Sequence, residues 1–127
     1  MDIRNKVALV TGASSGIGAA TARKLAAEGV IVGLAARRRD RLDALATEIE
    51  GNGGSAIALE TDVTDMASCK KAADTLITAH GRIDVLVNNA GLMPLSDIDS
   101  FKTDEWQRMV DVNITGCSMS RRLCYRR

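Results

Sequence analysis

Val7-Ala8-Leu9-Val10-Thr11-Gly12-Ala13-Ser14-Ser15-Gly16-Ile17-Gly18 decides the fold. A short apolar run with β-branched residues stops at a glycine turn, and a helical pattern follows through Ile17, Ala20, Lys24 and Leu25. Gly12 permits the tight turn, Gly16 lets a phosphate approach the backbone, and Gly18 lets the helix pack closely on the strands. The unpaired N–H groups at the start of that helix then face the anion. A merely flexible turn would explain neither the three glycines nor their place between strand and helix.

The same alternation runs outward from this junction. A second apolar run, Val30-Ile31-Val32-Gly33-Leu34-Ala35, precedes Leu42, Leu45, Ala46 and Ile49, whose spacing marks one helix face. Asn52-Gly53-Gly54 ends that helix, and residues 55–59 read as a third strand. Thr64 is the expected N-cap of the next helix, with Asp65 in its first turn and Cys69, Ala73, Leu76 and Ile77 as its buried stripe. Gly81 is placed to terminate it, after which residues 83–87 form the fourth strand. Uninterrupted apolar strands alternating with amphipathic helices predict a parallel sheet covered on both faces. A further helix is expected from about Thr103, carrying Trp106, Met109 and Val110.

The 127 residues amount to one domain and are 46% hydrophobic and 26% charged, which is globular composition. No apolar run is long enough for a membrane-spanning helix, no basic leader opens the sequence, and the expected compartment is the cytoplasm. Three cysteines do not make a disulfide scaffold at this size, and no metal ligands are assigned. The net charge of +1 is uneven. Residues 117–127 carry four arginines and no acid, which leaves 13 basic against 16 acidic side chains before them. A mildly acidic body with one short basic tail argues against nucleic-acid binding.

The spacing glycine, three residues, glycine, one residue, glycine resembles the short-chain dehydrogenase/reductase family. Three further segments keep that family's register. Asp62-Val63 follows the third strand, where the resemblance implies a carboxylate on the adenine. Asn88-Asn89-Ala90-Gly91 follows the fourth, and Asn113, within Val112-Asn113-Ile114-Thr115-Gly116, matches the family's catalytic asparagine. Taken singly, these would pass for an ordinary turn, a helix-leading carboxylate and a polar helix residue. Together they cover residues 7–116, about the first half of a family member. The implied fold is a Rossmann-type doubly wound parallel α/β sheet of strand order 3-2-1-4, truncated after the fourth strand and its following helix. Residues 1–116 would form the N-terminal part of a dinucleotide-binding domain. The implied cofactor contacts are Gly12, Ser14, Ser15, Gly16, Ile17, Gly18, Asp62, Val63, Asn89, Ala90 and Gly91.

Charge decides between the two nicotinamide cofactors. An acid about 20 residues beyond the glycines would hold the ribose 2′-hydroxyl of NAD. Here the second strand ends in Ala36, followed by Arg37, Arg38 and Arg39. A guanidinium can bind a 2′-phosphate bidentately, so Arg37 is assigned to that phosphate, with Arg38 in reserve, and NADP(H) is expected over NAD(H). The competing interpretation is a solvated helix start, although cations at a helix N-terminus are unfavourable. His80 reads as a helix C-terminal cation and Cys69 as core. Trp106 and Met109 read as core or, by the resemblance, as contacts within a homo-oligomer.

The family's reaction is hydride transfer between a nicotinamide and a small carbonyl or alcohol. The resemblance implies a tyrosine acid/base, a lysine four residues after it that lowers the tyrosine's pKa, and an upstream serine. Of these four positions the 127 residues hold only Asn113, because Tyr125 is followed by Arg126 and Arg127. The expectation is an oxidoreductase whose chain, as it stands, is catalytically inert. Residues 117–126, back-translated and read one base earlier, can encode Val-Leu-Tyr-Val-Thr-Ala-Ala-Val-Leu-Pro, so a frameshift near the Gly116 codon is expected. The rivals are a genuine basic tail and a non-catalytic NADP-binding or interaction module whose arginines meet an acidic partner.

Overall fold

The alternating apolar runs and amphipathic segments fold in the order in which they are written. The computed structural model describes residues 2–90 and Gln107. The elements are β1 (Val7–Thr11), α1 (Gly16–Ala27), β2 (Ile31–Ala36), α2 (Arg39–Gly51), β3 (Ser55–Glu60), α3 (Met66–His80) and β4 (Val85–Val87). The sheet has the order β3-β2-β1-β4 and every neighbouring pair is parallel, with Val7 opposite Ile31, Ile31 opposite Ser55 and Ala8 opposite Val85. This is the strand order that the family resemblance implies. The helix expected from Thr103 and the tail of residues 117–127 lie outside the described residues, apart from Gln107.

Strand β1 is buried along its whole length because its two sides meet different helices. Ala8 and Val10 join Val32 and Leu34 beneath α1 and α2, against Ala22, Leu42, Leu45 and Ile49. Val7 and Leu9 join Ala35 and Leu59 on the opposite face, beneath Ala72 and Leu76 of α3. The period-two alternation of a strand thus divides one apolar run between two cores. Gly33 in β2 is part of this packing. A Cβ there would lie 2.8 Å from Leu76 Cδ2, so the missing side chain is the space that α3 occupies.

The first three strands differ from the expected runs by one residue at one or both ends, and two further boundaries differ for identifiable reasons. The cap of α3 is Asp65, not Thr64: the Asp65 carboxylate accepts from the Ala67 N–H at 3.0 Å. Thr64 instead donates its hydroxyl to Asp62 Oδ1 at 2.6 Å and so belongs to the preceding loop. We expect Asp65→Ala to cost about 1 kcal/mol, read as a fall of roughly 3–6 °C in Tm. Gly81 does terminate α3, at φ 82°, with its N–H donating to the Ile77 carbonyl, and His80 is the last helical residue.

The fourth strand begins at Val85 instead of Ile83 because Asp84 is used as a clamp. Its Oδ2 accepts from the Val7 N–H at 2.9 Å and from Arg82 Nε at 2.8 Å, while Arg82 Nη2 donates to the Asn5 carbonyl at 3.0 Å. The Val7 N–H first, and then the Arg82 guanidinium, hold the Asp84 carboxyl below the usual aspartate range. A carboxyl with a depressed folded pKa stabilises the fold fully above its unfolded value of about 3.9 and loses that contribution as pH falls below it. Thermal melts of the parent and Asp84→Asn should therefore differ most above about pH 5 and converge toward pH 3. A constant difference across that range would remove the ionised carboxylate from the account.

Candidate functional site

The site forms where the strands end and their connections diverge. β1 lies between β2 and β4, so the chain leaves β1 toward one side and returns on the other, which opens a crevice at the carboxyl ends. Thr11, the last residue of β1, is buried and closes the floor of that crevice. Its hydroxyl donates to the Val87 carbonyl at 3.3 Å and accepts from the N–H groups of Asn89 and Ala90 at 3.0 and 3.1 Å. Asn89 Nδ2 in turn donates to the Gly12 carbonyl at 3.3 Å. The glycine turn and the Asn88-Asn89-Ala90 segment are therefore one hydrogen-bonded unit. Sequence reasoning placed both segments but gave Thr11 no role. The available signal was a lone hydroxyl at the end of an otherwise apolar strand.

The glycines divide by what surrounds them. A Cβ on Gly18 would lie 2.1 Å from the Gly12 carbonyl oxygen and 2.5 Å from Asn89 Nδ2, so this position accepts hydrogen alone. Gly12, at φ +66°, would bring a Cβ to 2.9 Å from the Ala90 backbone. Gly16 is different: a Cβ there would meet nothing within 4 Å, so this stretch of backbone faces open space. Ser15 caps α1 with extended backbone and makes no side-chain capping bond, and the first turn of α1 contains no acid. Ile17 beside it is 77% exposed, an unusual position for a large aliphatic side chain. Exposed backbone, a hydroxyl with no capping bond and helix N–H groups together are chemically able to receive an anion.

The arginine triplet also separates into roles. Arg38 is the N-cap residue of α2 and pairs with Asp40 at 3.2 Å, holding that carboxyl below its usual range. Arg39 pairs with Asp43 at 3.0 Å, one turn along the helix. These two are the solvated helix start, with the unfavourable end of the helix offset by nearby carboxylates. Arg37 precedes the helix, is exposed, and has no carboxylate partner among the described residues.

Asp62 lies in the loop after β3, where its Oδ1 accepts from the Thr64 N–H at 3.0 Å, and Val63 beside it is buried. A cleft of about 710 Å³ opens along β3 and α3, and both Arg37 and Asp62 line it. The fold thus joins two of the assigned cofactor residues in one cavity. The glycine turn does not line it, so the crevice at β1 and β4 and this cleft are separate regions of the carboxyl face. Gly91, Asn113, Trp106 and Met109 lie outside the described residues.

A family model for short chain dehydrogenases matches residues 6–126. The chain belongs to that family. Among its curated relatives, an uncharacterized oxidoreductase of Listeria monocytogenes is 47% identical over 116 residues, covering 91% of this chain and 47% of the relative. A 3-oxoacyl-[acyl-carrier-protein] reductase of Synechocystis is 44% identical over 112 residues, 87% of this chain and 45% of that protein. A short chain dehydrogenase from Burkholderia cenocepacia, solved in complex with NADP, superposes with a TM-score of 0.92 at 35% identity. That superposition covers 99% of this chain and 52% of the solved one. The short-chain dehydrogenase chain described here spans about half the length of the relatives it matches. Among its described residues, no helix is long and apolar enough to cross a membrane.

Proposed function

We propose that this chain carries the dinucleotide-binding part of an NADP(H)-dependent oxidoreductase acting on a small carbonyl or alcohol. The observation behind the cofactor preference is the end of β2. Ala36 stands where an acid would hold a 2′-hydroxyl, and Arg37 beside it has no carboxylate partner among the described residues and lines the cleft that contains Asp62. A 2′-phosphate would meet an unspent guanidinium there and no carboxylate at position 36. The neighbour solved with NADP supports the same preference.

The residues present fit the adenosine and pyrophosphate parts of such a ligand. The open backbone at Gly16, with Ser15 and the first N–H groups of α1, would take the pyrophosphate. Ser14 and Ile17 border that turn, Asp62 and Val63 would lie at the adenine, and Asn89 and Ala90 would line the wall toward the nicotinamide. Bound there, the nicotinamide would supply the hydride chemistry. Asn113 is the one catalytic position assigned within the 127 residues. With Asn113 as its one assigned catalytic position, a polypeptide of these 127 residues should bind the dinucleotide without turnover.

Calorimetric titration of the purified chain with NADP+ and NAD+ tests this. The expected result is tighter NADP+ binding, with Arg37→Asp lowering NADP+ affinity by roughly 10–100-fold, the value of a lost charge-assisted contact. NAD+ binding should change little. Equal affinity for the two dinucleotides in the parent would overturn the NADP(H) preference, and NADPH-dependent turnover by the 127-residue chain would overturn its inertness.

A further inference from the structure

We propose that Lys71, on α3, is a second cation for the 2′-phosphate of the dinucleotide and adds to the preference set by Arg37. This rests on the NADP(H) reading above and extends it to an element that sequence proximity does not connect to the arginine triplet.

The cleft along β3 and α3 is lined by three cations: Arg37 beyond the end of β2, Arg39 at the start of α2 and Lys71 from the second turn of α3. Their relation to neighbouring charges sets them apart. Lys70, one residue earlier, is spent on Asp74 at 3.0 Å, as Arg38 and Arg39 are spent on Asp40 and Asp43. Among the described residues, Arg37 and Lys71 form no ion pair, although each is exposed and long enough to reach one.

Two uncompensated cations from different elements raise the potential of the cavity they share, and a bound anion relieves that repulsion. The cleft is not purely basic, because Glu60 and Asp62 also line it. Asp62 Oδ1 is turned into its own loop, accepting from both the N–H and the hydroxyl of Thr64. Glu60 stands at the exposed end of β3 and is the carboxylate that opposes an incoming phosphate. The floor between these charges includes Ala58 and Leu59, which suits the apolar face of a nucleoside. A cavity with an apolar floor, three cations of which two are unspent, and two carboxylates of which Asp62 is engaged by its own loop, fits an anionic adenosine better than a neutral one.

The role is electrostatic. Lys71 would contribute a point charge at the rim, and Arg37 the geometry of a planar fork.

The test is a calorimetric titration of the full 127-residue chain with NADP+, NAD+ and 2′,5′-ADP, in the parent and in Lys71→Gln, Lys71→Arg, Glu60→Gln and Arg37→Gln. Lys71→Gln should weaken NADP+ and 2′,5′-ADP by about 3–5-fold, the scale of an exposed charge pair. NAD+ should be unchanged, Lys71→Arg should restore the parent value, and Glu60→Gln should tighten NADP+ by a similar factor. The Lys71→Gln loss should shrink as salt is raised. Equal weakening of NAD+ and NADP+ by Lys71→Gln would overturn the inference, since a general packing defect would do the same. If Arg37→Gln weakens NADP+ and Lys71→Gln does not, the inference fails and the NADP(H) reading stands. If Arg37→Gln is silent, or the parent binds neither dinucleotide, both fall. All the substituted side chains are exposed, so near-ultraviolet circular dichroism should remain that of the parent.

Discussion

Gly18→Ala should weaken dinucleotide binding by roughly ten-fold or more while leaving most of the sheet in place. The new methyl would lie 2.1 Å from the Gly12 carbonyl oxygen and 2.5 Å from Asn89 Nδ2, and the nearer obstacle is backbone that no rotamer change can move. The start of α1 must back away from the turn, at a cost of about 1–3 kcal/mol by analogy with overpacked cores. That displacement also carries the N–H groups of α1 away from the phosphate. Affinity for NADP+ should fall by roughly ten-fold or more, since about 1.4 kcal/mol is one factor of ten. Gly16→Ala is the informative partner. It meets nothing within 4 Å, but it places an alanine at φ +58°. It should cost only about 1–2 kcal/mol of backbone strain. Chemical denaturation and calorimetry on both variants separate the two effects. Equal loss of affinity in both would show that steric contact at Gly18 is not what sets the turn.

Thr11→Val should be the second large effect, although it hardly alters volume. The hydroxyl serves three partners at once: the Val87 carbonyl and the N–H groups of Asn89 and Ala90. A methyl in its place leaves the Ala90 N–H without its partner at the floor of a half-buried crevice, while the Asn89 N–H keeps its 3.1 Å bond to the Val87 carbonyl. Leaving a buried donor unsatisfied costs about 1–3 kcal/mol. Because the one group left without a partner, the Ala90 N–H, is only partly buried, we expect a loss of about 1 kcal/mol. Thr11→Ser, which keeps the hydroxyl, should recover most of it. A denaturation midpoint for Thr11→Val within error of the parent would mean that β4 is held by its ladder alone. Dinucleotide affinity should fall as well, since Ala90 would lose its tie to the end of β1 beside the glycine turn.

Much of this fold could be read directly because its strands are apolar throughout and its turns are punctuated by glycine. Val7 to Val10 could only be a strand buried on both faces, and Gly81 could only end a helix. The misplaced boundaries fell where a short polar side chain had two uses. Thr64 and Asp65 can each cap a helix, and the choice turned on which of them Asp62 engaged first. Ile83 is apolar and looked like strand, but the carboxylate of Asp84 was needed at Val7 and the ladder starts after it. At the site, the glycines and Asn89 were legible because their spacing is local. Thr11 was not, because its partners lie 76 to 79 positions away, and neither was the cleft, which pairs Arg37 with Lys71 through the fold alone.

The clamp and the threonine knot both join β1 to residues almost eighty positions further on, whereas β1 meets β2 across a separation of 24. Closing the longer loop costs more chain entropy, so the β1–α1–β2 unit and its extension to β3 should assemble first and β4 should dock onto a preformed edge. The glycine turn then exists before the wall opposite it. Native-state hydrogen exchange should find Asn89 and Ala90 opening at a lower free energy than Val10 or Leu34. A dinucleotide spanning both sides would slow exchange at Asn89 and Ala90 most, fastening β4 to the strands that precede it.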